Sequence, residues 1–225
     1  MISVIIPIKN AEKTIKKSID SVLNQDVQNI EVICVVNSTS DNTVAEIESI
    51  DDDRIKILYS RPGIVAALNE GLRASKGDFI ARQDADDVWL AGKLKKQLDF
   101  LDKNPDVDIL GTQLNVVDAN GKFIRKTSYP TTHEQIVSHL FIGNNPIGHP
   151  SVIFRRIVLD KCSGYWDLFP LAEDLDLWLR CVPWFKMSNL EDHLVQYQHV
   201  PNSSYNPNVP RTVSAWYRMI YGVQQ

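Results

Sequence analysis

At 225 residues, the chain is long enough to bury a substantial core without disulfide staples. Its 28 acidic and 24 basic side chains give a net charge of -4, with no basic run longer than two residues, which excludes nucleic-acid binding through a phosphate-neutralising patch. Three cysteines, Cys34, Cys162 and Cys181, are odd in number and lack metal-ligand spacing, as expected of a reducing compartment.

The first half alternates strand and helix signals. Ser3 to Ile8 is an apolar, β-branched run ended by Pro7-Ile8-Lys9-Asn10, with Asn10 placed to cap the helix that follows. In that helix Ile15, Ile19, Val22 and Leu23 share one face. Ile30 to Val36 reads as a second strand with Cys34 in its core run, Asn37 to Asp41 as a polar turn and Thr43 to Ser49 as a short helix. A third strand, Ile55 to Tyr59, precedes Gly63 and a helix whose Val65, Leu68 and Leu72 point inward. Phe79 to Gln83 is the fourth strand, and Ala91 to Lys103 is a helix stopped by Asn104-Pro105.

This alternation implies an α/β fold, a Rossmann-like and mainly parallel sheet flanked by helices, with ligands outside the carboxyl ends of the strands. After Pro105 the pattern changes: Ile109 to Val117 and Lys122 to Arg125 flank the hairpin signal Asp118-Ala119-Asn120-Gly121. The second half therefore supplies mixed edge strands to the same domain. Residues 1–104 form one wall of a cleft and residues 105–225 the other.

No stretch approaches the roughly 20 apolar residues of a spanning helix, and the N-terminus lacks a signal-peptide pattern, so the expected location is cytoplasmic. The segment Trp216-Tyr217-Arg218-Met219-Ile220-Tyr221 reads as a docked terminal helix or as a peripheral attachment to the inner membrane face. The five histidines offer no close ligand pair for zinc.

The stretch of most chemical interest is Asp84-Ala85-Asp86-Asp87, at the end of the fourth strand. If the backbone stays extended there, Asp84 and Asp86 point to the same side and can share a hard divalent cation. The competing reading is an exposed acidic turn whose Asp87 caps the next helix.

Several segments, in order, resemble the family 2 inverting nucleotide-sugar glycosyltransferases of GT-A fold. They are Ser3-Val4-Ile5-Ile6-Pro7, then Gly63 to Gly71, then Gly77 to Asp87, then Gly148-His149-Pro150-Ser151, then Gly164-Tyr165, then Glu173-Asp174-Leu175-Asp176-Leu177-Trp178. The resemblance implies transfer of a sugar from a nucleotide-diphosphate donor, UDP-linked by expectation, to a hydroxyl on a glycan or lipid-linked glycan in polysaccharide or cell-surface glycan synthesis. It implies Asp86 as ligand to Mn²⁺ or Mg²⁺, with Asp84 on the ribose or supporting the metal and Asp87 as a supporting or capping residue. Asp174 then matches the general base, with Glu173 beside it on the substrate, while Pro7 and Lys9 match positions that receive the nucleotide and Asn69 a substrate-binding position on a helix face near the cleft. Asp174 also suits the first turn of a helix, where the dipole stabilises an acid, and Asp176 with Arg180 reads as an exposed ion pair. His149 precedes Pro150, which favours an extended backbone.

Two departures stand out. The family usually has two aspartates after the second strand, whereas this chain has Val36-Asn37; Asn37 offers a neutral carbonyl to a uracil or ribose. Near the end the family often shows Tyr-Arg followed one residue on by His, and here the sequence is Tyr197-Gln198-His199, which makes His199 a candidate ligand of the metal or diphosphate. A non-catalytic nucleotide-sugar-binding module and a nucleotidyltransferase are the alternative readings. Retention of Asp84, Asp86 and Asp174 opposes the first, and the glycine-free Pro7-Ile8-Lys9-Asn10-Ala11 opposes the second. Fold alone does not separate them.

Overall fold

The computed structural model describes residues 1–169, 171–199 and 208–222. Four parallel strands, β1 (Ile2–Ile8), β2 (Ile30–Asn37), β3 (Ile55–Ser60) and β4 (Phe79–Arg82), stand in the order β3-β2-β1-β4. Every residue of β1 and β2 is buried, because alternate side chains enter opposite helical layers. Val4, Ile6 and Ile8 pack with Ile15 and Ile19 of α1 (Ile15–Leu23). Ile5, on the other face, packs with Val65, Leu68 and Leu72 of α3 (Ile64–Ala74). The short α2 (Thr43–Glu48) lies between β2 and β3 in the chain.

The remaining strands make the sheet mixed. β6 (Val107–Val117) and β9 (Lys186–Gln198) run parallel to each other, and β8 (Ile153–Arg155) lies antiparallel between β4 and β6. β5 (Val88–Trp89) pairs with β9, and β7 (Phe123–Lys126) forms the expected hairpin with β6, turned at Gly121 with φ 78°. Outside the sheet lie α4 (Lys93–Lys103), α5 (His133–Phe141), α6 (Ile157–Cys162), α7 (Glu173–Cys181) and α8 (Asn208–Tyr221). The C-terminal segment docks through α8: Ser214 Oγ donates to Leu140 O at 2.6 Å and Tyr221 Oη to Leu179 O at 3.1 Å. No helix among the described residues is long and apolar enough to cross a membrane.

A cleft opens because β1 and β4 part company. Their register ends at Ile5 opposite Arg82, and the Gln83 amide still donates to Ile5 O at 3.1 Å. The N–H that Pro7 lacks would point to the side that β4 has already left, so proline sits in this central strand without breaking the ladder. Beyond that point, the β1–α1 and β2–α2 loops are tied together. Asn10, at φ 49°, accepts the Ser40 amide at 2.9 Å, and Thr43 Oγ1 accepts the Ala11 amide at 2.8 Å. Asn10 is therefore a loop latch and not the cap of α1, whose N-terminal flanking residue is Thr14.

Candidate active site

The chain turns sharply after β4. The Asp87 amide donates to Asp84 O at 3.3 Å, so the acidic stretch is a turn and not an extended run, yet its carboxylates still converge. One oxygen from each of Asp84, Asp86 and Asp87 lies within 4.8 Å of the others. Asp87 does not cap α4, which starts at Lys93 after Gly92 in the left-handed region at φ 79°. Instead Asp87 is buried, accepts the Gln198 amide on Oδ1 at 2.7 Å, and leaves Oδ2 buried with no partner. Burial, then the Asp84 charge, pushes the Asp86 carboxyl up to about 6. The same causes, with Asp86 added, raise Asp87 well above the usual range. Like charges held this close, one buried oxygen without a donor, and an all-oxygen donor set fit a hard divalent cation.

Asp84 has a different neighbour. It pairs with the buried guanidinium of Arg82, whose Nε lacks a partner. This arginine also stabilises the ionised forms of Asp86, Asp87, Glu173 and Asp174. It therefore holds together two acidic groups that would otherwise repel.

Asp174 and Glu173 open α7, preceded by Ala172. Asp174 Oδ1 accepts the Leu175 amide at 2.7 Å and Oδ2 accepts Asn145 Nδ2 at 2.6 Å. Burial raises the Asp174 carboxyl, against the lowering effect of these donors and of Arg82. Glu173 is pushed up to about 7 by burial and then by Asp174, and its Oε2 is buried without a partner. His149 Nδ1 lies 4.0 Å from Asp174 while its Nε2 bonds Tyr165 Oη at 2.8 Å. Burial, then Arg82, lowers the imidazole well below its usual range, so this contact is to a neutral ring and is not an ion pair. His149 opens a three-residue 3-10 turn with Pro150 and Ser151, so the extended backbone expected there is absent.

Two cavities meet at Asp84. One, of about 540 Å³, is lined by Pro7, Lys9, Asn10, Asp41, Asp84 and Asp86 among others. The second, of about 680 Å³, includes Arg82, Asp84, Asn145, His149, Asp174 and His199. Thus Pro7, Lys9, Asp84 and Asp86 come together in the first cavity, and Asp174 shares the second with Asp84. Asn37 is buried, and its Oδ1 accepts the Gly63 amide at 3.1 Å, so its carbonyl tethers the start of α3. Asn69 grips the Tyr165 backbone at both ends, Nδ2 to O at 2.8 Å and Oδ1 from N at 2.9 Å; neither asparagine lines the two cavities. Arg82 and Asn145 carry no sequence signal of their own, since only the fold sets them beside Asp84 and Asp174.

A model of the family described as glycosyl transferase family 2 matches residues 3–162. The chain belongs to that family. The O-antigen biosynthesis glycosyltransferase WbnJ of Escherichia coli is 32% identical over 224 residues, covering 96% of this chain and 85% of the relative. Among solved structures, S. aureus TarS 1-349 in complex with UDP-GlcNAc has the same fold, with TM-score 0.73 and 21% identity over 91% of this glycosyltransferase and 61% of that chain. The mannosyltransferase PcManGT of Pyrobaculum calidifontis, in complex with GDP-Man and Mn²⁺, follows with TM-score 0.64 and 19% identity over 91% of this chain and 58% of that one. The mixed α/β architecture of this glycosyltransferase is thus the one that the sequence led us to expect.

Proposed function

We propose that this glycosyltransferase moves a sugar from a UDP-linked donor to a hydroxyl of a growing surface polysaccharide, with inversion at the anomeric carbon. The observation that carries the reading is that Asp84 lines both cavities, with the carboxylate cluster on one side and Asp174 on the other. The nucleotide occupies the side of Pro7 and Lys9, and the acceptor the side of Asp174. The UDP-GlcNAc bound by TarS supports a uridine donor, and the O-antigen role in the name of WbnJ supports a glycan acceptor.

Asp174 takes the proton of the attacking hydroxyl while that oxygen bonds the anomeric carbon on the face opposite the departing diphosphate. Leu175 N–H and Asn145 hold the carboxylate in a single pose, which sets the direction of attack. Asp86 and Asp84, with the unpartnered oxygen of Asp87, would hold Mn²⁺ or Mg²⁺. When bound, that ion supplies positive charge to the leaving diphosphate. Arg82, buried and paired with Asp84, favours the ionised form of the cluster against the burial and mutual repulsion that oppose it.

A thermal-shift panel of nucleotides with and without Mn²⁺ tests the donor side. UDP with Mn²⁺ should stabilise the parent by about 2.7 kcal/mol at a concentration near 100 times its dissociation constant. Asp86→Ala should lose that stabilisation and keep the parent melting temperature without ligand, because it removes a repelling carboxylate from a loop. Equal stabilisation of the variant would remove Asp86 from the metal, and a shift with another nucleotide alone would replace uridine.

A further inference from the structure

We propose that the groove between residues 128–131 and α5 is an outer saccharide subsite continuous with the Asp174 cavity, so that the acceptor is an oligosaccharide and not a single sugar. The inference rests on the acceptor lying on the Asp174 side.

A third cavity, of about 450 Å³, is lined by residues 128–131 on one side and by Gln135, Ser138 and His139 of α5 on the other. Ser128, Tyr129, Pro130 and His139 also line the Asp174 cavity. The two are therefore one path, and Tyr129 stands at the junction. The outer part has no carboxylate, lysine or arginine among its lining residues. Apart from the imidazole of His139, its polar groups are neutral donors and acceptors beside an aromatic ring, the set that suits a sugar's hydroxyls and its apolar face.

The wall is built in advance. Gln113, buried, accepts the Tyr129 amide at 2.6 Å and donates to Tyr129 O at 3.0 Å. Asn189 Nδ2 donates to Pro130 O at 2.7 Å, and Ser188 Oγ donates to Thr131 O at 2.7 Å. Buried side chains thus pin the backbone of this segment from below. Across the groove, Thr132 caps α5 by accepting the Gln135 amide at 3.4 Å. The Ser128, Thr131 and Gln135 side chains make no hydrogen bond among the described residues and are free to engage hydroxyls. A rigid wall that carries unengaged polar side chains binds a ligand without first having to order itself.

The test compares the parent, loaded with UDP and Mn²⁺, with two variants on an array of immobilised mono-, di- and trisaccharides. Ser138→Trp fills the groove, and the double variant Thr131→Ala/Gln135→Ala removes two unengaged hydrogen-bonding groups without adding bulk. The parent should bind at least one di- or trisaccharide about tenfold or more above every monosaccharide, the factor that one or two net hydrogen bonds supply. Both variants should lose that margin and keep UDP binding and melting temperature. Equal signals on monosaccharides, full retention by the variants, or no bound glycan would overturn the subsite. The donor reading is tested separately by UDP binding in the same samples, because that site lies across Asp84.

Discussion

At Asp174 the protein must keep a carboxylate basic enough to accept a proton and still fixed in place. Burial raises its pKa, while the Leu175 amide and Asn145 favour the charged form and pull it back. Removing Asn145 releases one of these restraints. In Asn145→Ala the acid limb of the kcat/KM profile should move to higher pH by about one unit, the value of one hydrogen bond to a charged group. Activity falls as pH drops through the limb, because protonated Asp174 cannot act as base. Glu173 titrates with Asp174, so the limb belongs to the pair. An unmoved limb, with only an overall loss of rate, would make Asn145 a fold residue. The Glu-Asp motif made Asp174 legible in the sequence. Asn145, 29 residues away, was not, because no periodicity links a loop asparagine to a helix N-terminus.

Among the elements, α7 differs most from its sequence reading. The i, i+4 spacing of Asp176 and Arg180 pointed to an exposed ion pair, but both are buried. Arg180 donates to Asp176 at 2.9 Å and to the carbonyls of Cys162 and Gly164, and Tyr217 Oη donates to Asp176 at 2.6 Å. The pair binds α7 to α8 and to the end of α6. Spacing identified the partners but not the cover, because α8 arrives from the far end of the chain. Asp176→Ala should cost about 3–5 kcal/mol in urea denaturation, since it leaves a buried guanidinium unpaired. A loss near the few tenths typical of a surface pair would restore the exposed reading. The amphipathic stripes of α1 and α3 were legible because each packs one face on the sheet, as hydrophobic periodicity records.

Across the whole molecule, the parallel half could be read from the sequence because its strands and helices alternate locally. In the second half the mixed strands and the β6–β7 hairpin could be read, but the long-range pairings could not. β6 pairs with β9 some eighty residues later, through several irregularities in register, and β8 inserts between β4 and β6. These non-local pairings bring Asn145, His149 and Asp174 opposite the Asp84–Asp87 turn. The central claim is that this cleft performs a single displacement with Asp174 as base. Its most direct measurement is the turnover of Asp174→Asn on a donor and acceptor pair, with the product's anomeric configuration determined for the parent. Turnover should fall by about 10²-fold or more with donor affinity unchanged, and the parent's product should be inverted relative to the donor. Near-parental turnover in Asp174→Asn, or a product that retains the donor's configuration, would contradict the account.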